Sequence, residues 1–123
     1  MAQTERDLIS ETIEIYFASM YESSADKVRH VFHEDAKITG YMQGQLVQLS
    51  VSAFADSVAG QLPSAAEEKE PKLLEIASIE IAGATAIARV RDGYLGMIFL
   101  DTLSLLKVDD RWVIYNKLFH IES

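Results

Sequence analysis

Three polar side chains stand among apolar ones near the end of this chain: Asp101 in "FLDTLSLLK", and Asn116 and His120 in "DRWVIYNKLFHIES". Read as strands, both segments send alternate residues to opposite faces. Asp101, Asn116 and His120 then share a face with Phe99, Leu103, Trp112, Ile114 and Leu118. An ionisable group on an apolar face is costly unless it is paired or reaches water. Such a face fits an apolar pocket with a few convergent polar groups, the usual form of a small-molecule site. The first expectation is therefore binding of a small apolar or aromatic ligand. If the pocket is catalytic, burial raises the pKa of Asp101, which then moves a proton on a carbon acid. His120, or a tyrosine such as Tyr16 or Tyr41, donates to the developing oxyanion. That would be cofactor-free isomerisation, cyclisation or dehydration, with Asp101 and His120 as the acid and base.

Other chemistries find less material. His30 and His33 lie beside Glu34 and Asp35, but one stretch supplies every ligand and no second cluster is visible, so no metal is expected. No glycine-rich phosphate loop or nucleophile elbow is present. The 19 acidic residues exceed the 11 basic ones for a net charge of -8, which disfavours nucleic acid and anionic membranes. The absence of cysteine removes disulfides and thiolate metal sites and suits a reducing compartment. "MAQTERDLIS" lacks the order of a secretory signal and no apolar run reaches the roughly 20 residues of a membrane span, so a cytoplasmic protein is expected.

The elements that must position these residues fall into two halves. Ile9, Ile13, Tyr16, Phe17 and Met20 form one stripe of a helix over 5–20. Ser24 caps a second helix, ending near His33, and Ser50 opens a third that Gly60 stops. Between them lie two short extended pieces around Gly40 and Gly44. "QLPSAAEEKEPK" reads as a solvated loop whose glutamates carry no chemistry. From Lys72 onward the period is extended, with strands predicted over 73–82, 85–91, 94–107 and 111–121. Asp92-Gly93 and Asp109-Asp110 are suitable hairpin turns. Helices first and strands second indicate an α+β fold, read here as a single domain over 1–123.

The last two strands are apolar on both faces. Helices of the same chain cover only one, so the economical cover for the other, with Ile98, Leu100, Tyr115 and Phe119, is the same face of a second subunit. A homodimer is expected.

"FLDTLSLLKVDDRWVIYNKLFH", together with "VRHVFHEDAKITGY" after the first helix, resembles the nuclear transport factor 2-like (NTF2-like) superfamily. Within it, the match is to the SnoaL-like or "putative lumazine-binding" branch, over nearly the full length. The resemblance implies a cone-shaped α+β barrel, with N-terminal helices packed on a strongly curved, mostly antiparallel sheet. It also implies a pocket inside and dimerisation through the outer sheet face. His33 and Asp35 match the family's His-x-Asp step at the end of the second helix. Phe99, Asp101, Trp112, Ile114, Asn116 and His120 match its last hairpin. The expected ligand contacts are thus Tyr16, His33, Tyr41, Phe99, Trp112 and Asn116, with no cofactor. The fold is shared by isomerases, dehydratases, cyclases and binding modules, so it names no reaction by itself.

Overall fold

Thr4 starts the first helix. Its hydroxyl accepts from the Asp7 N–H, while the Asp7 carboxylate accepts from the Thr4 N–H, a reciprocal capping box. The computed structural model describes residues 3–123. Helix α1 (Glu5–Tyr21) buries Ile9, Ile13, Tyr16, Phe17 and Met20, the predicted stripe. Helix α2 (Ala25–Val31) starts at Ser24, whose hydroxyl accepts from the Lys27 N–H. It stops two residues before the expected end because Phe32 is already extended (φ -96°, ψ 140°) and pairs with Ile114. His33 and Asp35 therefore belong to strand β1 (Phe32–Met42), not to a helix terminus. Strand β2 (Gln45–Ser50) returns antiparallel, and helix α3 (Val51–Ala59) runs from the Ser50 cap to Gly60.

Four strands follow: β3 (Leu74–Ala82), β4 (Thr85–Tyr94), β5 (Met97–Val108) and β6 (Arg111–Ile121). All six form one sheet in the order β2-β1-β6-β5-β4-β3, and only the β1–β6 pair is parallel. The helices cover one face of it, with α1 against β3, β4 and β6 and α3 against β1 and β2. This is the expected α+β cone. Its core contains Ile9, Ile13, Val28, Ile38, Val58, Val90, Leu103 and Ile114. Among the described residues no helix is long and apolar enough to cross a membrane.

Two departures from the sequence reading decide what the interior contains. Asp92-Gly93 is not a turn. Both residues lie in β4, and the hairpin closes at Leu95-Gly96, where φ is 55° and 74°. The inward alternation Ala86, Ala88, Val90 simply continues to Asp92, which is 1% exposed.

The second departure is a β-bulge in β6. Ser104 pairs with Asn116 while Leu105 pairs with Ile114, so Tyr115 is an extra residue with no partner in β5. Parity reverses across it. Trp112 and Ile114 point to the helices before the bulge, and Lys117 and Phe119 do so after it. Leu118 is 56% exposed and His120 is exposed, both on the outer side with Asn116. The expected placement of Asn116 and His120 beside Asp101 is thereby corrected. Gly40 accommodates the reversal, because a Cβ there would stand 2.5 Å from the Phe119 carbonyl oxygen and 2.6 Å from its ring.

Candidate functional site

The β4–β5–β6 register sets out the site. Val90, Asp101 and Phe119 form one inward row, Asp92 lies opposite Phe99, and Lys117 lies opposite Leu103. Asp92, Asp101 and Lys117 thus occupy a diagonal across three neighbouring strands, on the face that α1 covers. From α1, Tyr16 donates its hydroxyl hydrogen to Asp101 Oδ2 at 2.7 Å. Tyr16 and Asp101 are 0% exposed and Lys117 is 5%. Asp101 Oδ1 and both oxygens of Asp92 have no hydrogen-bond partner. A carboxylate pair has no proton to share, and two like charges side by side in an apolar interior repel. One proton resolves both problems, since a protonated Asp92 donates to the free Asp101 oxygen.

The electrostatics agree. Burial, followed by the hydrogen bond to Asp101 and the Asp101 charge, pushes the Asp92 carboxyl up to about 9, with Lys117 and Tyr16 pulling it partly back. Burial, and next the charges of Asp101 and Asp92, hold the Tyr16 phenol far above its ordinary range. Tyr94, further along β4, is raised to about 12 by burial. At neutral pH the interior therefore presents an acid at Asp92 and a phenol donor at Tyr16, with the Lys117 amine buried beside them. Asp92 and Lys117 carry no signature in the sequence read as plain strands, where one sits in a turn and the other on the outer face. Continuing the β4 alternation past Val90 is the signal that would have found Asp92.

At the wide end of the cone, between the C-terminus of α1, the 61–71 loop and the β4–β5 hairpin, lies a cavity of about 560 Å³. Its wall includes Met20, whose sulfur is 3.9 Å from Lys117 Nζ, and Gly93, which follows Asp92, while Tyr16, Asp92, Asp101 and Lys117 themselves lie behind that wall. Tyr94, Met97 and Ile98 complete the hairpin side. The loop is fastened to the helix by Tyr21 Oη donating to the Glu70 carbonyl and Ser23 Oγ to that of Gln61, each at 2.6 Å.

The structure brings together only some of the residues singled out from sequence. Tyr16 and Asp101 are bonded to each other. Phe99, opposite Asp92, is buried edge-to-face on Phe119 at 6.0 Å between centroids. Trp112 is buried at the far end of the hairpin, where its indole N–H donates to Glu5 Oε2 at 2.6 Å. His33 lies against Tyr115, 5.2 Å between centroids, in a separate surface hollow with Arg29 and Arg111. Tyr41 is 65% exposed on β1. His33, Tyr41, Trp112, Asn116 and His120 are therefore not brought to the Asp101 cluster.

This cone is the fold of NTF2-like proteins. One from Silicibacter pomeroyi superposes with a TM-score of 0.89 at 23% identity, covering 99% of this chain and 100% of its own. One from Methylobacillus flagellatus gives 0.86 at 27% identity, covering 100% and 96%. Residues 4–120 match the model of the family described as "Putative lumazine-binding", and the chain belongs to that family. It is also similar to aldolase FrzH from a Cladobotryum species, 26% identical over 120 residues, which are 98% of this chain and 94% of that protein.

Proposed function

We propose that this chain binds a small carbonyl compound at the wide mouth of its cone and moves a proton on it with the Asp92–Asp101 pair, without a cofactor. The observation that carries this reading is the pair of adjacent buried carboxyl groups, whose partners are Tyr16 and, through one shared proton, each other. Such an arrangement costs stability, and a ligand carbonyl accepting from the Asp92 acid, with Asp101 as the base, is the chemistry it is suited to. The similarity to an aldolase points the same way, since aldol chemistry begins with proton removal next to a carbonyl. Asp92 takes the role that sequence alone assigns to His120. Plain ligand binding, the first expectation, is the part of this reading that survives if no proton moves.

Proton transfer at carbon can be followed whatever product forms. Lumazine and a panel of aromatic aldehydes and ketones are screened by thermal shift, and α-hydrogen exchange of the ketones is followed by NMR in deuterium oxide. The expected result is a raised Tm for at least one compound and exchange above buffer. Asp101→Asn should lower that exchange about 100-fold or more. Binding without exchange leaves a binder and removes the catalytic half; neither response removes both.

The proposal includes a homodimer through the outer sheet face. Ile87 (49% exposed) and Leu118 (56%) stand on that face, and Ile87, Leu106 and Tyr115 line a concavity of about 740 Å³. Light scattering after size exclusion should give twice the 13.7 kDa chain mass. Ile87→Lys with Leu118→Lys should give a folded monomer; a wild-type monomer at micromolar concentration sinks the dimer. A cytoplasmic location, the default that the sequence reading took, goes with this proposal.

A further inference from the structure

Among the described residues Lys117 is the one basic side chain that is buried. Its ammonium nitrogen lies 4.8 Å from the ring centroid of Phe54, 4.9 Å from that of Tyr16 and 3.9 Å from Met20 Sδ. Among the described residues it forms no ion pair within 4.0 Å. A lysine kept for structure alone is expected to pair with the nearest carboxylate, because three N–H donors in an apolar shell otherwise go without oxygen acceptors. Here Asp101 has one oxygen bonded to Tyr16 and the other turned to Asp92, and neither lies within 4.0 Å of the Lys117 nitrogen. The amine, a carboxyl pair holding one proton and a phenol donor thus share one buried cluster, with Met20 between Lys117 and the mouth cavity.

We propose that Lys117 is a nucleophile that captures an aldehyde or ketone as an imine, with Asp92 and Asp101 moving the protons. The inference rests on the ligand site proposed above and deepens it to a substrate class. The ammonium passes one proton to the ionised carboxylate of the pair. The amine lone pair then forms the C–N bond as the carbonyl π pair moves to oxygen, which takes the proton of Asp92. A second N–H proton follows through Asp101 to that oxygen, the C–O bond breaks, and water leaves. Ammonium and carbonyl compound give iminium and water, with one positive charge on each side and no oxidant or reductant. The iminium acidifies the neighbouring C–H, and the ionised carboxylate of the pair removes that proton.

The full chain is incubated with benzaldehyde or 4-phenyl-2-butanone and sodium cyanoborohydride, and labelled lysines are located by peptide mass spectrometry. The expected result is one reduced adduct per chain, on Lys117, forming at least tenfold faster than on Lys27, Lys69 or Lys72. Because that comparison is internal to the wild-type chain, it stands even if Lys117→Met folds poorly; where the variant folds, it should lose the fast adduct and keep the slow ones. A raised Tm with these compounds, but labelling of Lys117 no faster than of surface lysines, overturns the imine while the ligand site stands. Stabilisation by benzoate alone, without an adduct, makes Lys117 an anion contact and likewise overturns it. No Tm change and no adduct removes the ligand site as well.

Discussion

Asp101→Leu should cost roughly 3–5 kcal/mol of folding stability at pH 7, the range for removing one member of a buried charged cluster. Folded domains of this size hold about 5–15 kcal/mol in total, so the variant should unfold at far lower urea. The loss has two sources. The Tyr16 hydroxyl, 0% exposed, loses its acceptor, and the buried Lys117 amine loses a polar neighbour on the β5 diagonal. Leucine is larger than aspartate, so no cavity is left, and overpacking adds to the polar cost where the site does not relax. Adding Lys117→Met should recover at least half of the loss, because buried charges replaced together by hydrocarbon are often neutral or stabilising. Urea titrations of the two single variants and the double variant measure this. A single-variant cost below about 1 kcal/mol would mean that water enters the cluster freely.

Asp92→Asn should have the opposite sign, with a dependence on pH that identifies its cause. In the unfolded chain the carboxyl titrates near 4, and in the folded chain burial and Asp101 raise it to about 9. Between these values the folded state holds a proton that the unfolded state has released. Stability from this group is therefore fully present below about pH 4 and is lost as pH rises towards 9, with a limiting slope of about 1.4 kcal/mol per pH unit. Asparagine does not titrate, and its amide can donate to the free Asp101 oxygen. The variant should match the wild type within about 0.5 kcal/mol near pH 4 and exceed it by about 2 kcal/mol or more at pH 8. For a chain of this length that is a Tm increase of roughly 5–10 °C. Thermal melts across pH 4–9 provide the check, and equal slopes for both proteins would show that Asp92 does not hold its proton. A variant that is more stable yet inactive in α-hydrogen exchange would mark Asp92 as kept for function at the expense of stability.

These two carboxylates show how differently parts of the site can be read. Alternation alone finds Asp101, because β5 keeps strict parity from Phe99 to Leu105 and both flanking faces are visible in the sequence. It misses Asp92 because Asp-Gly is a strong hairpin signal, and nothing local distinguishes it from the Leu95-Gly96 turn three residues on. It places His120 inward because the parity of Trp112 and Ile114 carries straight through Tyr115. The unbulged set ending in Leu118 and His120 has one apolar residue fewer than the bulged set ending in Phe119 and Ile121. That margin is too small to break the pattern. The resemblance in "FLDTLSLLKVDDRWVIYNKLFH" anticipates the cone and its family, but it carries Asn116 and His120 over as motif positions without showing which way they point.

The three helices, the Ser24 and Ser50 caps, the stripe of α1 and the inward position of Asp101 are legible in the residue pattern alone. Helical spacing, capping and strand alternation act over a few residues, and each can be read where it occurs. Only the tertiary structure decided that Asp92 and Lys117, and not His120, join Tyr16 and Asp101. The bulge at Tyr115 is a matter of how β6 pairs with β5 on one side and β1 on the other. Phe119 over Gly40 and Tyr16 on Asp101 hold that arrangement from 79 and 85 residues away, beyond the reach of any local pattern.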